Sequence, residues 1–153
     1  MNTSHIYPGA NTLNAYLNLT NCAEAIEFYK KAFGAVEKGR LLMPDGSIGH
    51  AEIEIEGSLL MLADENAAWG TKSPTTLGGT TMTIGLYVQD ADAVFNKAIE
   101  AGGTEVMPMK DEFYGDRVGQ VMDPFGYKWM IGTHKEDVSY EEMQRRSDEM
   151  FKK

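Results

Sequence analysis

The chain has 153 residues, of which 42% are hydrophobic and 24% charged, enough apolar material for one ordinary domain and too much for a disordered segment. Its net charge of −9, with no cluster of lysine and arginine, argues against nucleic acid as a partner. No apolar run is long enough to span a bilayer, no signal peptide is visible, and the single cysteine, Cys22, cannot form an internal disulfide, so we expect a cytoplasmic protein without a membrane partner.

The predicted elements begin with a unit over residues 12–65. Its first stretch has the periodicity of a strand, with apolar side chains at Leu13, Ala15, Leu17 and Leu19. Asn21, with Glu24 three residues later, resembles a capping box, so a helix is predicted to start there and to end at Gly34. Three strand-like runs follow, with turns after the first and second: VEKGRLLM, GHAEIEIE and SLLMLADE.

A second unit over residues 80–135 repeats the first. An offset of 69 residues, held without gaps, places Asn21 on Asp90, Gly34 on Gly103 and Gly57 on Gly126. Residues 66–79, rich in Gly, Pro, Ser and Thr, are predicted to be a linker. A capping box at Ser139 opens a closing helix over residues 139–152, with a basic end at Lys152 and Lys153. The sequence therefore predicts two tandem βαβββ modules within one domain over residues 1–153.

The element order, the strand–Asn/Asp–helix–Gly opening of both units and the DPFG turn before the last strand resemble the vicinal-oxygen-chelate superfamily, which includes glyoxalases and bleomycin-resistance proteins. Within it, the PhnB-like branch is similar in the segments NCAEAIEFYKKAFG, HAEIEI, SPTTLGG, LYVQDADA, GDRVGQVMDPFGYKWMIGTH and EDVSYEEMQRR. The resemblance covers residues 12–146. It implies an α+β fold in which the two modules curl a mixed sheet around an open cavity, commonly completed by the partner of a homodimer.

The resemblance also implies where metal-using members hold a divalent ion, at one position on the first strand and one on the last strand of each unit. Those positions carry Asn14, Thr83, Met61 and Met130 in this chain. Neutral amide and hydroxyl oxygens and thioethers are poor ligands for a borderline divalent ion, so we expect no metal and no other cofactor. Two methionines fit a soft apolar floor of a ligand cavity.

His50 and Glu52 are the donors that the sequence places side by side. In GHAEIEIE, strand alternation puts them on the face opposite Ala51 and Ile53, which is the cavity side if the apolar residues face a helix. A histidine beside a carboxylate can be a general base that the carboxylate holds in position, or part of a metal-binding triad. The alternative is a structural or ligand-bonding histidine with a partly solvated glutamate.

Two further groups of residues are candidate ligand contacts. Strand alternation gives three residues the same orientation as the implied metal positions of their strands: Tyr16, Asn18 and Tyr87. They would therefore line the pocket, unless they are core residues. The run from Phe113 to Arg117 pairs an aromatic loop, which includes Tyr114, with an Asp116-Arg117 dipeptide. The Arg117 guanidinium could clamp a carboxylate or phosphate, or could be tied to a nearby acid.

Two other side chains are predicted to lie outside the site. Trp129 is adjacent to Met130, so strand alternation points it to the opposite side, into the helix-facing core. His134, near the end of the second unit, has no companion donor in its segment and is given no role.

Three functions remain open from the sequence. The first is a metal-independent protein that binds a small organic ligand, aromatic or cationic, in two equivalent cavities of a homodimer. The second is a metal-dependent lyase, isomerase or dioxygenase of the same superfamily with a rearranged site around His50 and Glu52. The third is an interaction module in which a dimer surface matters more than a pocket. A fold of this kind hosts many chemistries and does not choose among them.

Overall fold

The computed structural model describes residues 4–152, so the predicted basic end at Lys153 lies outside the described residues. The first module contains strand β1 (Tyr16–Leu19), helix α1 (Cys22–Phe33) and strands β2 (Val36–Leu42), β3 (Ile48–Ile55) and β4 (Ser58–Asp64). Strand β1 starts three residues later than the alternation predicts, at Tyr16 and not at Leu13. Helix α1 is capped as predicted, because the Asn21 side chain accepts the Glu24 amide and Gly34 takes a left-handed conformation.

The second module repeats this order. It contains β5 (Thr83–Tyr87), α3 (Ala91–Glu100), β6 (Thr104–Asp111), β7 (Asp116–Met122) and β8 (Lys128–His134). The predicted linker holds a 3-10 turn (Ala67–Trp69) and a short helix, α2 (Pro74–Leu77). The C-terminal helix α4 (Tyr140–Phe151) begins at the predicted Ser139 cap, whose hydroxyl accepts the Glu142 amide.

Each module builds its own four-stranded mixed sheet, with orders β1-β4-β3-β2 and β5-β8-β7-β6. The pairs β1–β4 and β5–β8 are parallel, and the other pairs are antiparallel. The α+β architecture of two βαβββ modules with a C-terminal helix is therefore confirmed, as two sheets and not as one continuous sheet.

One apolar core joins the two modules. The rings of Tyr29 and Phe33 on α1 lie 5.3 and 4.5 Å from that of Trp129 on β8, and Phe28 contacts Phe125. Trp129 is 2% exposed, as its parity predicts. The helix-facing sides of both sheets belong to this core, which leaves the opposite side of each sheet, called here its outer face, pointing away from it. Among residues 4–152, no helix has the length and apolar character needed to cross a bilayer.

Candidate functional site

The outer face of the first sheet follows from strict alternation along β3. Ala51 and Ile53 are completely buried against the core, whereas His50 and Glu52 are partly exposed on the other side. Strand register then brings Tyr16 of β1 level with Met61 of β4, and Met61 level with Glu52. Four of the predicted site residues therefore lie on one face.

Three of these side chains form a hydrogen-bonded row, called here the Tyr16 cluster: Tyr16, His50 and Glu52. The Tyr16 hydroxyl lies 2.8 Å from His50 Nδ1, and His50 Nε2 lies 3.2 Å from Glu52 Oε1. Strand β4 separates β1 from β3, so the tyrosine side chain spans two strand spacings, about 10 Å in total, to reach the imidazole. A long side chain on the edge strand is what makes the contact possible.

The surroundings keep Tyr16 protonated and accessible. Burial, with a smaller contribution from Cys22, raises the pKa of the Tyr16 phenol above its usual value, while the side chain remains 44% exposed. The row therefore ends in a neutral hydroxyl group at the surface of the outer face. Cys22 itself is buried, and burial raises the pKa of its thiol to about 12, so it is not a reactive thiolate.

The outer face of the second sheet carries a different row, called here the Asp116 cluster: Tyr87, Asp116 and His134. The buried Asp116 carboxylate accepts the Tyr87 hydroxyl through one oxygen, and His134 Nδ1 lies 2.6 Å from the other. The hydrogen bond to Asp116 raises the pKa of Tyr87 to about 12 and also raises the pKa of His134. The second ring nitrogen of His134 is 2.9 Å from Asp137.

The sequence identifies Asp116 only as the neighbour of Arg117. It predicts no companion donor for His134, whereas the structure gives this histidine two, Asp116 and Asp137. A sequence signal was available for His134, which lies four residues after Met130 on the same strand and therefore on the same face. Asp116 is directly opposite His134, at the ends of β7 and β8. Tyr114, predicted in the same region, lies close enough to Asp116 that this carboxylate contributes to raising its pKa, although burial contributes most. Tyr87, Tyr114 and Met130 are therefore brought to one side of the second sheet.

The positions implied for a metal ion do not fit one. Asn14 precedes β1, and its amide oxygen accepts the Asn11 backbone N–H at 2.8 Å. Met61 and Met130 lie on different sheets, and the Met130 methyl group is directed towards Gly85. Thioethers and a neutral amide are poor donors for Zn²⁺, Mn²⁺ or Fe²⁺. Within residues 4–152, no group of three or more His, Cys, Asp or Glu side chains is arranged to hold an ion.

Asn14 instead borders a groove of about 380 Å³ between the modules. This groove runs between the segment before β1, the β3–β4 turn and strand β5, and Tyr87 is one of the residues that line it. Trp69, in the 3-10 turn, is 58% exposed and does not line it. Apart from Arg117, the predicted site residues are therefore distributed over the groove and the two outer faces.

Arg117 lies apart from both clusters. Its guanidinium faces helix α3, where Nε and Nη2 donate to the two Asp92 oxygens at 2.6 and 2.7 Å, and Nη1 reaches Asp111 at 3.3 Å. Arg117 is therefore bound to acidic residues of its own chain and not left open to a ligand, which is the second of the two interpretations given from the sequence. Its β7 neighbour Asp116 points the other way because adjacent strand residues alternate.

We expect Arg117→Met to cost less than about 1 kcal/mol in the free energy of unfolding, because the ion pair is solvent-exposed and screened. The variant should also keep any ligand affinity of the wild type. Urea denaturation measures the stability and a binding titration measures the ligand affinity. Asp92→Asn is the matched variant, because it removes the other member of the ion pair. A large loss of ligand affinity in Arg117→Met alone would return Arg117 to the binding site.

Known proteins share this architecture. Residues 11–131 match the family model described as the Glyoxalase/Bleomycin resistance protein/Dioxygenase superfamily. An uncharacterised protein of Mycobacterium tuberculosis is 46% identical over 135 residues, which cover 86% of this chain and 79% of that protein. The crystal structure of a gene product of Arabidopsis thaliana is similar with a TM-score of 0.64 and 29% identity, covering 82% of this chain and 98% of that one. A PhnB protein from Bacillus cereus, described as a putative 3-demethylubiquinone-9 3-methyltransferase, has a TM-score of 0.61 at 17% identity, covering 80% and 99%, and is alike in fold alone.

Proposed function

The chain belongs to the Glyoxalase/Bleomycin resistance protein/Dioxygenase superfamily, and from this premise we propose that it is a PhnB-like protein that binds a small organic molecule without a metal ion. The Tyr16 cluster on the outer face of the first sheet carries the proposal. Its three polar groups are preorganised by hydrogen bonds to each other and stand beside the Met61 thioether. Small-molecule sites commonly combine a few fixed polar groups with an apolar lining.

The apolar part of the proposed site extends onto the edge strand β2. Leu41 is paired with His50 and is 68% exposed, and Val36 and Leu42 are 56% and 63% exposed. Exposed aliphatic side chains next to a polar row favour a ligand with an aromatic or aliphatic body and one polar end. The Met61 side chain would adapt to its shape.

We further propose that the molecule is enclosed by a second copy of the chain. Ligand sites usually bury most of the ligand surface, which one open sheet face cannot do. The exposed apolar residues of β2 give a second copy something to cover, and a homodimer would provide two equivalent cavities. Light scattering at micromolar concentration should report a mass of two chains. A cytoplasmic location, expected from the single cysteine, stays a prediction.

The first test is metal content. Protein purified without a chelator or a histidine tag should contain far less than one Zn, Mn, Ni or Fe per chain, and these ions should not raise its melting temperature. The reason is the donor set, which offers His50 and Glu52 without a third ligand. About one ion per chain that disappears in His50→Ala would overturn the metal-free proposal in favour of a metal enzyme.

The second test is ligand stabilisation. A compound from a library of small aromatic and aliphatic amines, alcohols and ketones, present at about 100 times its Kd, should stabilise the fold by about 2.7 kcal/mol. Tyr16→Ala should abolish this stabilisation because it removes both the ring and the hydroxyl group. The matched control is Tyr140→Ala, whose side chain is 90% exposed on α4 and should leave the ligand effect unchanged. Hits that stabilise Tyr16→Ala as strongly as the wild type would place the site elsewhere.

A further inference from the structure

With Glu52 ionised and His50 neutral, the Tyr16 cluster has one proton arrangement that satisfies all three side chains. An ionised Glu52 only accepts hydrogen bonds, so His50 must donate from Nε2. Neutral imidazole then has an unprotonated Nδ1, which accepts the Tyr16 hydroxyl at 2.8 Å. The proton of Tyr16 is directed at His50, and the phenol oxygen is left with free lone pairs on the outer face. These lone pairs are available to accept a proton from a bound molecule.

We propose that Tyr16 is the catalytic base of a metal-independent proton-transfer site, with His50 as the proton acceptor behind it. This inference rests on the proposed function, because the molecule must occupy the same face. In the step, the Tyr16 oxygen takes a proton from a carbon of the bound molecule as the Tyr16 hydroxyl proton moves to His50 Nδ1. The C–H electron pair moves into the molecule, and the imidazolium formed is stabilised by Glu52.

The raised pKa of Tyr16 fits this concerted step. A free phenolate would be disfavoured by the partly buried setting, so the tyrosine remains neutral before and after the transfer and only relays the proton. Glu52 does not reach the bound molecule in this scheme. It is a positioning residue, because its carboxylate selects the imidazole tautomer that can accept from Tyr16.

The chemical class of substrate follows from what else the face offers. Asn18 lies two residues after Tyr16 on β1 and therefore on the same face. Its backbone N–H and C=O are both held by the Tyr127 hydroxyl, at 3.2 and 3.0 Å, and its side-chain amide makes no hydrogen bond to the part of the chain between residues 4 and 152. An amide donor beside the base suits an oxygen on which negative charge develops. The substrate class is a neutral organic compound with an acidic C–H next to a carbonyl group, and return of the proton at a neighbouring atom makes the reaction an isomerisation.

The test uses 5-nitrobenzisoxazole, a neutral bicyclic aromatic compound that reports proton abstraction and needs no cofactor. A base removes its ring C–H proton, the N–O bond breaks, and the product, 2-cyano-4-nitrophenolate, is followed by absorbance. With chelator-treated wild-type protein we expect kcat/KM above the rate constant of free imidazole at the same pH. Tyr16→Phe and His50→Gln should each lower kcat by about 10²-fold with little change in KM. Tyr140→Phe is the matched control and should retain the wild-type rate.

Two structural readouts separate the possible outcomes. The ¹⁵N shifts of His50 should show protonated Nε2 and unprotonated Nδ1, and Glu52→Gln should change this tautomer balance together with kcat. Chemical-shift changes on β1 and β3 show whether the probe binds to the outer face. A probe that binds there but reacts equally fast with Tyr16→Phe overturns the base and leaves ligand binding intact. A probe that does not bind there contradicts both proposals.

Discussion

Asp123→Ala is expected to lower the free energy of unfolding by about 3–5 kcal/mol, one of the two largest effects that we predict. The Asp123 carboxylate is 3% exposed and accepts four hydrogen bonds. One oxygen accepts the Tyr29 hydroxyl at 2.7 Å and the Trp129 indole N–H at 2.9 Å. The other accepts the backbone N–H groups of Phe125 and Tyr127, both at 2.9 Å.

The loss is large because the donors cannot find water. Tyr29 and Trp129 are 0% and 2% exposed, so removing their acceptor leaves buried polar groups without partners. Burial raises the pKa of Asp123 despite the four donors, as expected for a carboxylate that is largely removed from water. The carboxylate also joins helix α1 of the first module to the β7–β8 turn of the second, so both modules are affected.

Urea denaturation measures this effect against two variants. Tyr29→Phe removes one of the four donors and should cost about 1.5–3 kcal/mol. Glu54→Ala changes the residue that the 69-residue offset aligns with Asp123, but its side chain is 40% exposed and paired with the exposed Lys38, so the cost should stay below about 1 kcal/mol. Equal losses for Asp123→Ala and Glu54→Ala would contradict the role assigned to the buried carboxylate.

Gly115→Ala is expected to destabilise the protein by about 2–5 kcal/mol and to release the C-terminal helix. Gly115 has a φ of +98°, a left-handed conformation that an L side chain adopts at a cost of about 1–2 kcal/mol. A Cβ atom there would also overlap the Glu136 carbonyl oxygen and lie 2.9 Å from Val138. Because a backbone atom must move, a further cost of about 1–3 kcal/mol is expected.

Release of α4 follows from the position of Glu136. The Glu136 carboxylate holds Arg146 of α4 at 2.9 and 3.0 Å, and Arg146 also donates to the Phe113 backbone oxygen. No residue of α4 from Tyr140 to Phe151 is fully buried, so these polar contacts are an important part of what holds the helix in place. Displacing residue 136 should therefore increase proteolytic cleavage and amide exchange in residues 140–151 before the rest of the chain.

The chain contains its own control for this substitution. Gly46 occupies the equivalent turn of the first module, 69 residues earlier, with a φ of +87° and open space where the Cβ atom of an alanine would lie. Gly46→Ala should therefore show the backbone strain alone, about 1–2 kcal/mol, without exposing α4. Equal stability and equal proteolysis of Gly115→Ala and Gly46→Ala would contradict the predicted overlap between a Cβ atom at position 115 and the Glu136 carbonyl oxygen.

The elements themselves could be predicted because their signals are local. Alternation along β3, the caps at Asn21, Asp90 and Ser139, and the stop at Gly34 all depend on residues within one or two turns of each other. The same locality explains the error at β1. Residues 13–15 alternate as a strand would, but Asn14 is bonded to Asn11 in the preceding loop, and β1 starts only at Tyr16.

The sequence alone determined the two-module repeat, its helices and strands, the face on which His50, Glu52 and Trp129 lie, and the lack of good metal donors at four positions. Only the tertiary structure decided which side chains meet. Tyr16 reaches His50 across an intervening strand, Arg117 is bound to Asp92, and Asp123 lies 94 residues from its partner Tyr29. Periodicity fixes the direction of a side chain from its near neighbours, but a hydrogen bond needs two atoms within about 3 Å, and that distance depends on strand order and on how the modules pack.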